Sequence, residues 1–574
     1  MRYVTLAILL AGIILALAAA FFTVTSLQAD LTGPPTPILL SDHDKTEGNV
    51  GVSQWYGNHT LWTELNGSEG SDLFYSAPPF TQTIRLSDLA QTEGNANYMH
   101  TRIAKAADGT PHVIWLEETG TSEGYDLFYW TPVSGTLRLT DRNLTEGSPE
   151  LARVLMDIQI DENGQAHVIW NERGNNGNNR LWFYWNQASN TTQIIPGFSH
   201  FTLQGTTAHV AWADYDDASI HYWNSVDQTD VAVPYTTGSI TGNVKVFANS
   251  AGDVYVYWGE TFTPNCLNRW NAATQTSEVV VSGSNCLFVQ YLSQDKSGKI
   301  HAIGQRSIGG GNYEAYYWNS SLNNALIMQT TTTPGDKYLR VADNGVAHVY
   351  WVEGTTPNGD MYHWDSANQT TTNLSAGIGA NTPISSYSTR TLLTADGRFN
   401  IAWQEGGSYY LWQSGGSTQN LETKFGMSDI SGNLILQQDG QGNVHMAWYG
   451  VPDSGDNGLF LWNEATDIVQ RVWTGNSSDY YFFSFSPTPA GADHVAWINN
   501  QQAYYWNETD GETNLTVNIL PNNSDWINLY SDERGNISVW WTEESGITAE
   551  GTDLYAVWMP ASLNQFVYLP LVIR

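Results

Sequence analysis

The chain has 574 residues, 41% hydrophobic and only 14% charged, with 23 Lys and Arg against 57 Asp and Glu for a formal charge of −34. That carboxylate excess repels phosphate backbones and anionic headgroups, which excludes nucleic acid and acidic lipid as partners. The 25 Trp, 30 Tyr and 18 Phe offer too much buriable surface for a disordered chain, and 52 Gly among few helix formers point to an all-β fold.

Arg2 is the only charge ahead of an apolar run from Val4 to Phe22, after which the chain turns polar and small Ala29 precedes Asp30. Residues 1–29 therefore read as a secretory signal peptide. An uncleaved anchor is the alternative, because about 19 apolar residues just span a bilayer and Leu27 fits the small-x-small cleavage rule imperfectly. Both readings place the remainder outside the cytoplasm, secreted or at the cell envelope, and the second adds membrane attachment through the N-terminal segment. Cys266 and Cys286 are the only cysteines. In an exported chain they are expected to form a disulfide, worth about 3 kcal/mol for a loop of this length.

The dominant feature is repetition. A hydrophobic cluster ending in Trp recurs at Trp62, Trp115, Trp170, Trp212, Trp258, Trp351, Trp403, Trp448, Trp497 and Trp541, with Gly304 in the slot of a degenerate copy. The eleven units are 42 to 55 residues apart, the period of a four-stranded propeller blade. A second series runs from Trp130 to Trp558, and the two slots hold 20 of the 25 tryptophans. Such regular rings are expected to pack between blades, leaving Trp55, Trp182, Trp473, Trp526 and Trp540 as better candidates for ligand contact. Asp-Gly or Asp-x-x-Gly precedes the first Trp in units such as Asp161 to Gly164 and Asp439 to Gly442, predicting a tight hairpin. Each blade then reads as a first strand ending at that turn, a second carrying the first Trp, a third carrying the second Trp, and a short fourth.

These D-x-x-G-x-x-H-V-x-W units resemble the repeats of bacterial secreted β-propellers, including sialidase-like and BNR-type repeat proteins. The resemblance covers nearly all of the chain after the leader and implies the fold. It does not extend to a sialidase active site: the Asp box is only approximated, the R-I-P type motif is missing and no arginine trio stands out. Residues 566–574 are similar to the Y-L-P-L-V tail of many exported proteins of one bacterial group, which implies sorting or surface retention; the other reading is a last outer strand completing unit eleven. Eleven units exceed the usual ring of four to eight, so two propellers in tandem are expected, 30–290 and 291–574, with one large ring as the alternative.

A His three residues before the Trp slot, from His59 to His494, recurs too often round a ring for these groups to converge on one zinc, and is expected to be structural, donating to a neighbouring turn. The carboxylate two residues after the Trp (Glu64, Glu117, Glu172, Asp214, Glu260, Glu353, Glu405, Glu543) reads singly as a solvated or turn-capping group. The same blade face gathers loop carboxylates Glu47, Glu93 and Glu146 before the first strands and Glu69, Glu123 and Glu550 between second and third strands. Loops of variable length on a rigid scaffold are where binding resides, and hard oxygen ligands suit calcium, though no dedicated calcium loop is present. No catalytic motif appears. The function expected is a non-catalytic exported or cell-surface propeller binding a glycan or extracellular protein through this acidic face. A glycoside hydrolase or polysaccharide lyase with a dispersed acidic site is one alternative, and an architectural envelope protein the other.

Overall fold

The computed structural model describes residues 37–41, 50–66, 70–87, 95–118, 125–140, 147–148, 155–174, 180–214, 218–234, 239–283, 285–331, 336–353, 359–378, 384, 389–475, 482–517, 523–544 and 552–561. The blade turns form as their composition demands. Asp161 Oδ1 accepts the backbone N–H of Asn163 at 2.9 Å and of Gln165 at 2.8 Å, while Gly164 supplies the positive φ of 76°. Asp295, Asp439 and Asp532 repeat the arrangement.

Each turn joins the first two strands of an antiparallel blade, and eleven blades result. Blade 1 runs Val50–Tyr56, His59–Asn66, Gly70–Ser76 and Ile84–Arg85; blade 2 runs Asn95–Lys105, Pro111–Glu118, Tyr125–Thr131 and Gly135–Arg138. The first strands of blades 3 to 11 are Met156–Ile160, His200–Gln204, Ser239–Ala248, Cys286–Gln294, Lys337–Val341, Arg390–Leu393, Met427–Gln438, Phe483–Pro487 and Asn523–Ser531. Neighbouring blades bring their first strands together, as His200–Gln204 against Ser239–Ala248, whereas the fourth strands scarcely meet. The first strand is therefore innermost.

Eleven apolar clusters fill the joints between successive blades. Leu61, Tyr75 and Ile103 join blades 1 and 2, Phe247, Leu267 and Val289 join blades 5 and 6, and Trp62, Phe74 and Trp540 join blade 11 to blade 1. The chain is thus one closed ring. This corrects the expected division into 30–290 and 291–574 and selects the single large ring. The interface nearest the expected seam is continuous, and it is also covalently fastened: Cys266 lies in the third strand of blade 5, Cys286 in the first strand of blade 6, and a disulfide joins them. Gly304, which made unit six look degenerate, marks a relocation of the aromatic ring. A Cβ there would lie 2.4 Å from Tyr316 Oη, and Tyr316 is fully buried in the place the missing Trp vacates.

Ring closure comes from the chain's start. Ile38–Leu39 pairs antiparallel with Thr552–Met559, matching Ile38 to Ala556 and Leu39 to Tyr555, and becomes the fourth strand of blade 11. The position proposed for residues 566–574 as a last outer strand is therefore taken by residues 38–39; the tail lies outside the described residues. Ser41 then repeats a closing device used elsewhere. It donates to Asp553 at 3.2 Å and accepts the Leu554 N–H at 2.8 Å, as Ser87 does with Asp72 and Leu73 and Thr140 with Asp126 and Leu127. Thr83 of blade 1 donates to the Leu40 carbonyl at 3.0 Å, as Thr136 of blade 2 does to that of Leu86 at 2.8 Å. The N-terminal strand is bonded into the ring like any other outer strand.

Candidate binding surface

Side chains one residue apart point to opposite faces of a strand, so residues i and i+2 lie side by side. This explains the fate of the repeated carboxylates. Glu64, Glu117, Glu172, Glu260, Glu405 and Glu543 are at most 2% exposed. Each accepts the indole N–H of the Trp two residues earlier, at 2.5 Å from Trp62, 2.6 Å from Trp115 and 2.8 Å from Trp170, and likewise from Trp258, Trp403 and Trp541. The expectation of solvated or turn-capping groups is corrected for these six. Burial raises the pKa of Glu260 and Glu543, while the indole bonds favour the ionised form. Where the carboxylate is missing, at Gly450 and Asn499, the N–H groups of Trp448 and Trp497 find no acceptor among the described residues.

The first Trp also lies over an aromatic ring of the next strand, Trp62 on Phe74, Trp115 on Phe128 and Trp170 on Phe183, with centroids 5.7, 5.6 and 5.5 Å apart. Trp62, Trp115, Trp170, Trp258, Trp351, Trp403 and Trp448 are among the largest fully buried side chains, and Trp212, Trp497 and Trp541 are also buried. Losing one such ring costs about 3 to 5 kcal/mol. Trp182, Trp473 and Trp540 are buried as well, which removes three of the five proposed ligand tryptophans; Trp526 is half-buried, and the Trp55 side chain lies outside the described residues.

The repeated His serves the third strand. His112 Nδ1 meets Tyr129 Oη at 2.7 Å, His167 meets Tyr184 at 2.6 Å and His209 meets Tyr222 at 2.6 Å. Each Tyr ring then packs on the second-slot Trp of the following blade, Tyr129 on Trp185 at 4.9 Å and Tyr184 on Trp223 at 5.3 Å. Three of these His rings also reach their own turn Asp, His167 to Asp161, His301 to Asp295 and His445 to Asp439. The tyrosine partner was not foreseen; its place directly before the second Trp was the available signal.

One register position behaves differently. On each innermost strand, consider the residue paired with the one just before the first Trp slot. Going round from blade 1, it is Gln54, Arg102, Asp157, His200 and Lys245 on the first five blades, then Tyr291, Tyr338 and Arg390, then Ile435, Ser484 and Asn528. Ten of these side chains are described, and all ten are exposed or half-exposed, whereas flanking Ile103, Ile158, Phe201, Val246 and Leu339 are buried. The packing positions repeat from blade to blade; this solvent-facing layer on the inner wall changes nearly everywhere.

Its groups sense one another across blades. Burial raises the Asp157 carboxyl against the opposing pull of Arg102 and Lys245. Burial likewise lowers the Lys245 ammonium, which Asp157 partly restores. His200 is pushed down to about 4, by burial and then by the Lys245 charge. Further round, Tyr291 and Tyr338 are 38% and 40% exposed with ring centroids 6.2 Å apart, and Tyr338 stacks on Tyr350 at 5.2 Å. Arg340, also exposed, sits two residues along the same strand.

The six loop carboxylates singled out in the sequence, Glu47, Glu69, Glu93, Glu123, Glu146 and Glu550, lie outside the described residues, as does the N-terminal segment. Among the described residues no group of three His, Cys, Asp or Glu side chains is arranged to hold a metal ion, and no helix is long and apolar enough to cross a membrane.

No family model matches the chain, and no curated protein matches it. Solved structures show similarity at low levels. Porphyromonas gingivalis dipeptidyl peptidase 4 has 11% identity over 73% of this chain and 67% of that one, with a TM-score of 0.36. The β-propeller domain of the Trilobed protease from Pyrococcus furiosus has 9% identity over 64% and 99%, with a TM-score of 0.25. The Dos1 propeller has 9% identity over 70% and 92%, with a TM-score of 0.28. Likeness of this order says nothing of activity. The class is defined by the chain's own topology: an eleven-bladed, all-β propeller.

Proposed function

We propose that this protein is a non-catalytic exported or cell-surface ring that binds a glycan or an extracellular protein, with the varied layer on its inner wall as a principal contact surface. The observation that carries the reading is the contrast in register: packing positions recur blade after blade, while one solvent-facing layer on the same strands takes eight different residue types among its ten described members. Rigid scaffolds present recognition through such positions. Export is supported by the leader-like residues 1–29 and by a disulfide, a bond that persists in oxidising compartments. The acidic loops bearing Glu47, Glu93 and Glu146 belong to the same reading as a second contact region, with calcium as their candidate ion, and residues 566–574 as a retention tail.

The test is a glycan-array screen of the purified protein, with calcium and with chelator, alongside capture of extracellular protein partners. Binding that a Tyr338→Ala change weakens at unaltered melting temperature supports the reading. A folded preparation blank on both screens would count against it.

A further inference from the structure

The innermost strands reverse the charge of the molecule. They carry six basic residues, Arg102, Lys105, Lys245, Lys337, Arg340 and Arg390, against three acidic ones, Asp157, Asp429 and Asp525. That balance is 6 − 3 = +3 in a chain whose total is −34. All six bases fall on blades 2 to 8, and five of them are exposed or half-exposed, the exception being Lys337, buried against Trp351. Their pairing also differs from that of other cations. Arg85, Arg138, Arg306 and Arg398 each hold a carboxylate. Arg102 and Arg340 instead donate to the carbonyl of their own preceding residue, at 2.8 and 3.3 Å, and among the described residues neither makes an ion pair. Beside Arg340 stand the two exposed tyrosines, Tyr291 and Tyr338, 38% and 40% exposed, with Tyr350 stacked on Tyr338.

We propose that this arc of the inner wall, on blades 2 to 8, binds a saccharide bearing carboxylate or sulfate groups, with Tyr291 and Tyr338 stacking on sugar rings and Arg102, Lys245 and Arg340 taking the anions. This deepens the binding reading above and rests on it. Guanidinium suits planar oxyanions through paired N–H donors. A wall whose balance is positive, six bases to the single carboxylate of Asp157 on the innermost strands of blades 2 to 8, concentrates the matching ion even when the outer surface repels it. A neutral glycan would find the tyrosines but leave the cations unmatched. The acidic exterior then acts as a filter that keeps the ligand off every other face.

The experiment compares three probes on the purified protein by calorimetry: a mannuronate oligosaccharide, the same oligosaccharide with its carboxylates reduced to hydroxymethyl groups, and a poly-glutamate peptide. The expected result is binding of the uronate at least about tenfold tighter than its reduced form, weakening as salt is added. The exposed pair Arg102→Gln with Arg340→Gln should lose about tenfold, the scale of one charged hydrogen bond, whereas Lys296→Gln with Arg534→Gln, the same loss of two positive charges on exposed outlying turns, should lose nothing. Equal binding of both oligosaccharides overturns the charge selectivity and leaves the glycan reading standing. Binding of poly-glutamate alone overturns the saccharide while keeping a protein-binding ring. Silence with all three probes and on the glycan and partner screens removes both readings.

Discussion

Blade-to-blade joints and the inner wall are built from the same strands yet follow opposite rules. At the joints, polar groups are buried and matched in fixed sets: Trp to Glu within a strand, His to Tyr across a hairpin, Tyr to the Trp of the next blade. A buried polar group without its partner costs about 1 to 3 kcal/mol, so each set tolerates little change and the set recurs. On the inner wall, Arg102, Asp157, His200 and Lys245 occupy equivalent places with no shared partner. Arg102 donates to the Thr101 carbonyl and Asp157 accepts the Ile158 N–H, bonds made within their own strands that no neighbouring blade has to match. Regularity marks what holds the ring together, and irregularity on the same strands is the ground of the binding proposal.

The sharpest way to probe that contrast is at the closure. If residues 38–41 are a true outer strand, Leu40, 1% exposed, does the same work as Leu86, which is fully buried. Leu40→Ala and Leu86→Ala should each cost about 3 kcal/mol in urea unfolding, well above any substitution in the inner layer. A Leu40→Ala cost far below that of Leu86→Ala would mean the ring is not locked by its N-terminal strand.

That closure also shows what could be read from residues alone. The blade order, the hairpins and the two Trp slots were legible because Asp, Gly and Trp recur with a fixed period. The N-terminal strand was missed although Leu40-Ser41 repeats Leu86-Ser87 and Leu139-Thr140, because a two-residue strand carries too little pattern to announce itself. Ring-size habit and Gly304 point to a tandem arrangement, but the ring missing at Gly304 is supplied by Tyr316 on the neighbouring strand. The carboxylates after Trp were misjudged because alternation places them beside the indole without revealing whether that face is wet. The inner layer is illegible in the sequence for a deeper reason: it is defined by residues that do not recur.

A smaller effect separates members of the repeated set from one another. His59, His209 and His494 are held down at about 4 by burial, with Lys105 adding to the effect at His59. Each is neutral in the fold, so its contribution is present above the unfolded value of about 6.5 and fades as pH falls toward about 4. In blade 9 Leu461 replaces the tyrosine, and His445 instead meets Asp493 of the next blade at 2.6 Å and Asp439 at 3.4 Å. Burial lowers its pKa, but the two carboxylates outweigh that and raise it. Its contribution is therefore full below about 6.5 and is lost as pH rises through the folded value. His445→Gln should cost more at about pH 5.5 than at about pH 8, and His209→Gln the reverse, read from urea midpoints at both values. The same sign for both would contradict the assignment of a charged joint between blades 9 and 10.

The smallest expected effect is also the most direct comparison of the two regions, since it makes one chemical change in each. Tyr184 has its hydroxyl buried against His167 at 2.6 Å and Asn186 at 3.3 Å, so Tyr184→Phe leaves polar atoms unmatched and should lower stability by about 1 kcal/mol. Tyr338 is 40% exposed, with none of the buried hydroxyl bonding that Tyr184 has, so Tyr338→Phe should leave the unfolding midpoint where it was. Ligand affinity should respond in the opposite order: Tyr338→Phe keeps the stacking face and changes binding only through its hydroxyl, Tyr338→Ala removes the face, and Tyr184→Phe leaves binding untouched. Equal destabilisation by the two phenylalanine changes would show that the inner layer is part of the ring's framework, and the division between joint and wall would fail.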